Sequence, residues 1–174
     1  MMPIVHLVRH GRIPDYETDR PLTEAGMEEA FAVGQTLAAR LRPGETVRFF
    51  SSPARRARQT AALLRDGLTG ALARSGQTAT VTPIVEVDDR LQNLQFLLDG
   101  LSYDPIHPLF EVIRHRQAQT PSPHYRACAD FHAGFWNSPD PMAYWLTHPS
   151  PAIEPPEAVA GRIRDYVAAL LESA

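Results

Sequence analysis

The sequence predicts an α/β fold built on a parallel sheet with flanking helices. Three β-like runs carry that prediction, at residues 3–9, 46–50 and 79–87, and an amphipathic helical stretch separates each from the next. Strands alternating with helices in this way form parallel sheets joined by right-handed crossovers. At 174 residues the chain suits one domain, and 44% hydrophobic content is enough for a substantial core.

The first run, "PIVHLVR" (3–9), is nearly continuous in Ile4, Val5, Leu7 and Val8, the pattern of a strand buried on both faces. Gly11 releases the chain into a polar loop that runs through Asp19. In "PLTEAGMEEAFAVGQTLAARL", Thr23 is placed to N-cap a helix whose positive end suits Glu24, Glu28 and Glu29. Met27, Ala30, Phe31, Gly34, Ala38 and Leu41 share one face of it. "RPG" at 42–44 stops this helix, and "TVRFF" (46–50) reads as the second strand. "SSPARRARQTAALLRDGL" begins a second helix with Pro53 near its start and Ala57, Thr60, Ala61, Leu64 and Leu68 on its apolar face. The third strand, "ATVTPIVEV" (79–87), carries Pro83, which signals an edge or an irregularity.

Composition narrows the function. The formal net charge is −3, and all 17 basic residues are arginine. That balance gives no hint of nucleic acid or of an anionic membrane as partner. Arginine suits bidentate phosphate contacts, although a bias towards arginine codons explains the absence of lysine equally simply. The lone cysteine, Cys128, excludes an internal disulfide and any zinc site needing two thiolates. No apolar segment has the length of a signal peptide or a membrane span, so the expected location is the cytoplasm. There is no dinucleotide fingerprint, P-loop or HExxH, so no cofactor and no metal are implied.

In open parallel sheets, ligands bind beyond the carboxyl ends of the strands. "LVRHG" would set Arg9 and His10 on that rim, and "SSPARR" would bring arginines to it from the second strand. A neutral imidazole can attack phosphorus while arginines hold the non-bridging oxygens. Neighbouring arginines disfavour the imidazolium and keep the nucleophile unprotonated. The plain alternative is a surface Arg-His pair with no task.

"LVRHG", "PLTEAG" and "SSPARRARQTA" stand in the order and spacing of the histidine phosphatase superfamily, the phosphoglycerate mutase-like proteins, which this chain resembles over its first hundred residues. "EPPEAVAGRIRDYVAALL" resembles that family's penultimate helix, with Val159, Ile163, Val167 and Leu170 on one face. The resemblance implies a phosphoglycerate mutase-like parallel-sheet sandwich with helices on both faces. It implies that His10 becomes phosphohistidine and that Arg9 and Arg56 bind the phosphoryl group. Thr23 matches a threonine of the family pattern, which makes it a substrate-binding candidate beside its capping role. Arg58 is expected on the helix surface.

Two departures from the pattern stand out. Where the family has an acidic proton donor, in a stretch like "RLREIDFG", this chain has "RLQNLQFL" (90–97), with Asn93 at the glutamate position. An amide cannot deliver a proton. Glu86, Asp88, Asp89 and Asp99 are the nearby carboxylates, each read by default as a surface group. The family also continues past its penultimate helix into a strand ending in a second histidine, in a pattern such as "VSHG". This chain ends at Ala174, so the fold is expected to lack that C-terminal strand. Of the other histidines, His6 is expected to be packed or half-exposed on the first strand, and His107, His115, His124 and His132 to lie on helix surfaces. His148, in "WLTHPSP", is the best stand-in for the second histidine. Without the last strand the first would expose a backbone edge, so the chain is expected to form a homodimer, swap a segment or fill the gap itself.

Residues 97–150 read as a helical lid inserted into a single domain spanning 1–174. Helical patterns cover "IHPLFEVIRHRQ" and "YRACADFHAGFW", the latter with Cys128, Phe131 and Phe135 in one stripe. A proline-rich loop with a turn around 142–146 follows. Trp136, Trp145, Tyr103 and Tyr125 either line a pocket or fill a core. The expected activity is metal-free hydrolysis of a phosphate monoester through phospho-His10, on a small phosphorylated metabolite or with inorganic phosphate as ligand. A phosphoglycerate mutase-type phosphotransferase uses the same chemistry. A catalytically weak or inactive phospholigand-binding module is the reading from another class.

Overall fold

Thr23 ends the polar loop and begins a helix because its Oγ1 accepts a hydrogen bond from Gly26 N at 3.1 Å, capping α1 (Glu24–Ala38). The computed structural model describes residues 3–16, 18–105 and 108–173. The chain forms two units, Ile4–Gln92 and a second made of Asn93–Ala174 together with Met1–Pro3. Six helices and two small sheets, one parallel and one antiparallel, are found among the described residues, an α/β architecture. No helix among them is long and apolar enough to cross a membrane.

In the first unit, β1 (Thr46–Ser51) pairs in parallel with β2 (Thr80–Val87), and α2 (Arg55–Ser75) makes the crossover between them. The register slips between the pairs Val47↔Val81 and Phe49↔Val85, so one residue of β1 faces three of β2, Pro83 among them. Proline cannot donate to the ladder, and the slip absorbs it. Its freed carbonyl accepts from Arg65 Nη1 at 2.6 Å. Ala38, Leu68 and Leu72 form the buried centre, with Leu37, Leu41, Val47, Phe49 and Val81 packed around them.

The buried face of α1 is Gly26, Ala30, Gly34 and Ala38, one small residue per turn. Small side chains let α2 come close. A Cβ at Gly34 would stand 2.1 Å from Leu64 O, and one at Gly67 would stand 2.2 Å from Phe31 O. Of the face expected on α2, Thr60, Ala61, Leu64 and Leu68 are buried and Ala57 is partly so. On α1 the face is narrower than its apolar residues suggest, because Phe31 stays 37% exposed.

One expected element does not form. Residues 3–10 are irregular, and they pair with neither β1 nor β2. Ile4 and Leu7 are 73% and 77% exposed. A strand buried on both faces needs neighbours to cover it, and this unit offers a single pair of strands. The site residues that follow are therefore not presented by a strand end.

The second unit opens with a hairpin, β3 (Phe96–Leu98) and β4 (Leu101–Tyr103), turning at Asp99-Gly100 with φ of 52° and 77°. An Asp-Gly pair with two positive φ angles is a favoured two-residue hairpin turn. Phe96 also bridges Ile153. Helices α3 (Pro108–Gln119), α4 (Pro123–Asn137), α5 (Pro141–Thr147) and α6 (Pro156–Glu172) follow. Cys128, Phe131 and Phe135 are buried as one stripe of α4, with Phe96, Ile113, Tyr125 and Trp145 in the same core. The tryptophan N–H groups are satisfied, Trp145 to Glu154 O at 3.0 Å and Trp136 to Pro105 O at 2.9 Å. Trp145 and Tyr125 are thus core residues, and Tyr103 and Trp136 pack against that core. The stripe expected on α6, Val159, Ile163, Val167 and Leu170, is half-buried, and the buried residue of the helix is Tyr166, outside that stripe.

The α1–α2 crossing makes a sharp prediction. Gly34→Ala and Gly67→Ala should each destabilise the fold by about 1–3 kcal/mol in denaturant unfolding, because a methyl group must displace backbone. Gly161→Ala, in α6 with nothing within 4 Å of the new Cβ, should instead stabilise by roughly 0.5–1 kcal/mol. Equal effects at the three positions would contradict this packing.

Candidate functional site

The chain returns from the 3–9 segment onto the two helices at Gly11. A Cβ there would lie 2.5 Å from Gly26 O, so the backbone runs directly against the first turn of α1. Gly11 N donates to Thr60 Oγ1 at 3.1 Å, and Thr60 Oγ1 donates to Arg56 O at 2.8 Å. Thr23 N donates to Arg12 O at 2.9 Å. Both helices therefore fix the backbone on the C-terminal side of His10. Arg56, in the first turn of α2, is 5% exposed, and His10 is half-buried.

The hydrogen bonds define the tautomer. His10 Nδ1 lies 2.8 Å from Gly11 O, and a carbonyl only accepts, so Nδ1 carries the proton. Nε2 keeps its lone pair. Tyr16 Oη stands 3.5 Å from Nε2 and accepts from Arg9 Nη2 at 3.3 Å. Its own proton is then directed at Nε2. Burial pushes the His10 pKa below its ordinary 6.5, the Gly11 carbonyl opposes that, and Arg56 and Arg9 push it down further. Burial and the two arginines thus favour the neutral imidazole, the form that a nucleophile with anion-binding groups beside it would need.

Arg56 is neutralised in part by Asp19, whose Oδ1 lies 3.4 Å from Nη1. The same carboxylate accepts from Arg55 N at 2.9 and 3.0 Å, at the N-terminus of α2 where negative charge is favoured. The Arg56 guanidinium also lies 5.9 Å from the Tyr16 ring centroid.

Arg9, His10 and Arg56 thus belong to one constellation in the first unit. Thr23 caps α1, and its hydroxyl donates to Arg12 O at 3.2 Å. Arg58 is exposed on α2. The nearby carboxylates are engaged elsewhere. Glu86 is held by Arg48 at 2.9 Å, and Asp89 accepts from Gln92 at 2.9 Å. Asp88 pairs with Arg90, whose hydrogen bonds lower its pKa to about 2. In the second unit, Asp99 binds the Tyr125 hydroxyl. Asn93 Oδ1 accepts from Leu94 N at 2.9 Å. His148 finishes α5, with Nδ1 3.0 Å from Tyr144 O and its ring stacked on Tyr144 at 4.0 Å. Cys128 is buried, and burial raises its pKa to about 11, which makes it inert as a nucleophile. His132 is buried rather than on a surface, tilted against Phe96 and Phe110. His6 is exposed, and His107 lies outside the described residues.

Tyr16 and Asp19 are the site residues that sequence reasoning missed. Both lie in a loop without periodicity, and their partners are supplied by the fold. The one local cue was a tyrosine and an aspartate closely following the Arg-His pair.

A family model described as "Histidine phosphatase superfamily (branch 1)" matches residues 5–122. A solved structure described as "Mycobacterial hydrolase 1" is 24% identical, with a TM-score of 0.46, over 94% of this chain and 62% of that one. The chain thus spans less than two thirds of that structure's length. No curated protein matches.

The His10 environment predicts a pH signature. Its imidazole should titrate below 6.5 by NMR, and Arg56→Gln should raise the midpoint by removing a cation. Because the folded pKa is lowered, the unfolded chain binds the proton first. The His10 contribution to stability is therefore complete above the unfolded value and is lost as pH falls from 6.5 through the folded value. His10→Gln should flatten that part of the stability profile. A midpoint at or above 6.5 would contradict this electrostatic account.

Proposed function

Since the chain belongs to branch 1 of the histidine phosphatase superfamily, we propose that it is a phosphomonoester hydrolase working through a phosphohistidine at His10, on a small phosphorylated metabolite. The observation that carries this reading is the tautomer. Nδ1–H is fixed on Gly11 O, which leaves the Nε2 lone pair as the nucleophile beside Arg9 and the buried Arg56.

In this reading Nε2 attacks phosphorus in line, the N–P bond forms and the ester P–O bond breaks. The leaving oxygen takes its proton from solvent. Water then attacks phosphohistidine, and inorganic phosphate leaves. Arg9 and Arg56 stabilise the equatorial oxygens, where the charge lies during transfer. Capture by a second substrate's hydroxyl instead of water would make the same site a phosphoglycerate mutase-type phosphotransferase. In this reading residues 1–174 act as one catalytic domain in the cytoplasm, and the segment 97–150 sets substrate choice.

A second reading, a weak or inactive phospholigand-binding module, is favoured by one observation. Asn93 stands where the family pattern has its acid, and its side chain is spent on Leu94 N. Leaving groups that depart as stable anions, such as aryl phosphates, distinguish the two, because they need no acid.

The test is turnover of an aryl phosphate together with acid-labile, base-stable labelling from a phosphodonor. His10→Ala should abolish both while the fold persists. Arg56→Ala should keep the nucleophile but slow turnover by about 100- to 1,000-fold, the usual cost of one lost charge-stabilising donor. Equal hydrolysis by wild type and His10→Ala would overturn the phosphohistidine mechanism. Phosphate binding without label or turnover would favour the binding module.

A further inference from the structure

The loop between Gly11 and Pro21 does more than connect. Asp15 Oδ1 accepts from Arg20 Nε at 3.2 Å, which closes the loop on itself. Two of its side chains then take up the polar groups of the site. The Tyr16 hydroxyl stands between Arg9 Nη2, at 3.3 Å, and His10 Nε2, at 3.5 Å. The Asp19 carboxylate lies on Arg56 and on the first amide of α2.

We propose that Tyr16 gates His10: its hydroxyl holds the place that a phosphoryl group must take, and substrate displaces it. This rests on the reading of His10 as the nucleophile and deepens it. A hydrogen bond to Nε2 uses the in-plane lone pair that also attacks phosphorus. A phosphorus atom poised for in-line attack sits about 3–3.5 Å from the nucleophile, the distance at which Tyr16 Oη now stands. The phenol and the phosphoryl group cannot share that place. Arg9 is occupied by the same oxygen, so binding replaces one Arg9 acceptor with another, more strongly charged one. Asp19 does for Arg56 what Tyr16 does for Arg9, with a carboxylate in the role of a phosphoryl oxygen. The discrimination follows from strength. A dianionic phosphoryl group outcompetes a neutral phenol for a guanidinium, whereas weak or singly charged anions do so less well. Tyr16 is therefore a specificity-determining residue that raises the threshold for occupying the site. Its cost is a lower apparent affinity, reduced by the fraction of time that the gate is closed.

Tyr16 is 36% exposed, so its replacement should leave the fold intact, as circular dichroism would verify. The readout independent of catalysis is modification of His10 by diethylpyrocarbonate, which reacts with a free imidazole nitrogen. Peptide-resolved mass spectrometry follows it in the full chain, above the histidine titration range, with exposed His115 as internal reference. Tyr16→Ala should speed His10 modification by at least about fivefold, as expected if the open form is a minor population. It should also tighten the binding of inorganic phosphate by a similar factor. Tyr16→Phe should match Tyr16→Ala, because the hydroxyl, not the ring, occupies the lone pair. An unchanged or slower rate in Tyr16→Ala overturns the gate, as does a Tyr16→Phe rate equal to wild type. Faster modification with weaker phosphate binding also overturns it, because the hydroxyl is then a phosphate ligand. If neither wild type nor variant binds phosphate, the phosphatase reading fails, and the modification rates alone decide the gate.

Discussion

Helices α1 and α2 meet at Gly34 and Gly67, where each presents bare backbone to a carbonyl of the other. Side chains ordinarily hold helix axes 8–10 Å apart, and removing them from the contact allows a nearer approach. The consequence reaches the candidate site at the other end of the same pair. Gly11 rests on Gly26 of α1 and donates to Thr60 of α2. Leu22 N, just before α1, donates to Gln59 Oε1 of α2 at 2.8 Å. A chain segment that touches both helices this tightly has its position set by their spacing. Arg56 sits on α2, one turn before Thr60, so the distance from His10 to its buried cation inherits the same constraint.

The described charges that act on His10, Arg9 and Arg56, act in one direction. With burial they favour the neutral imidazole, and the Gly11 carbonyl opposes them. Among the described residues, the candidate proton donors of the first unit are all engaged. Glu86, Asp88 and Asp89 are each held by a partner close in sequence or across the sheet. Asp88 in particular, with its pKa lowered to about 2, stays ionised throughout the neutral range. In the proposed reaction Arg9 and Arg56 would stabilise phosphoryl charge, and Glu86, Asp88 and Asp89 would not supply the leaving oxygen's proton. Turnover would then depend on the leaving group's own stability as an anion, which is why the leaving group separates a hydrolase from a binding module.

Most of the fold was legible because its signals are local. Thr23, the glycine-punctuated helices and the two β-branched runs at 46–51 and 80–87 each specify their element without outside help. The buried stripe of α4 was equally plain in Cys128, Phe131 and Phe135. The hairpin at Phe96–Tyr103 was not legible although Asp99-Gly100 is a favoured turn, because its strands of 3 residues each are too short to show an alternating pattern. In the site, Arg9, His10 and Arg56 were legible from motif spacing. Tyr16 and Asp19 were not, since nothing in a loop sequence encodes which distant groups its side chains will meet. The His10 tautomer was hidden for a related reason. It depends on a backbone angle that brings Gly11 O to Nδ1.

The segment 3–9 shows where apolar pattern and structure part. A run such as Ile4, Val5, Leu7 and Val8 argues for burial on both faces, yet these side chains are 41–77% exposed. The run states a capacity for sheet pairing, which this structure does not use. Here β1 and β2 pair with each other, and the segment joins neither. The expected logic, in which a strand end carries Arg9 and His10 to the rim of a sheet, is therefore replaced. His10 is held from its C-terminal side, through Gly11, Arg12 and the helix starts. Arg9, on the N-terminal side of that anchor, is exposed, and its fixed contact is the Tyr16 hydroxyl. The two halves of the motif are thus held differently: His10 is anchored by backbone, while Arg9 is positioned by a side chain of a loop. Any ligand that takes Tyr16 away from Arg9 must itself supply the order that Tyr16 gave, and a multiply charged phosphoryl group with several acceptor oxygens is suited to that exchange.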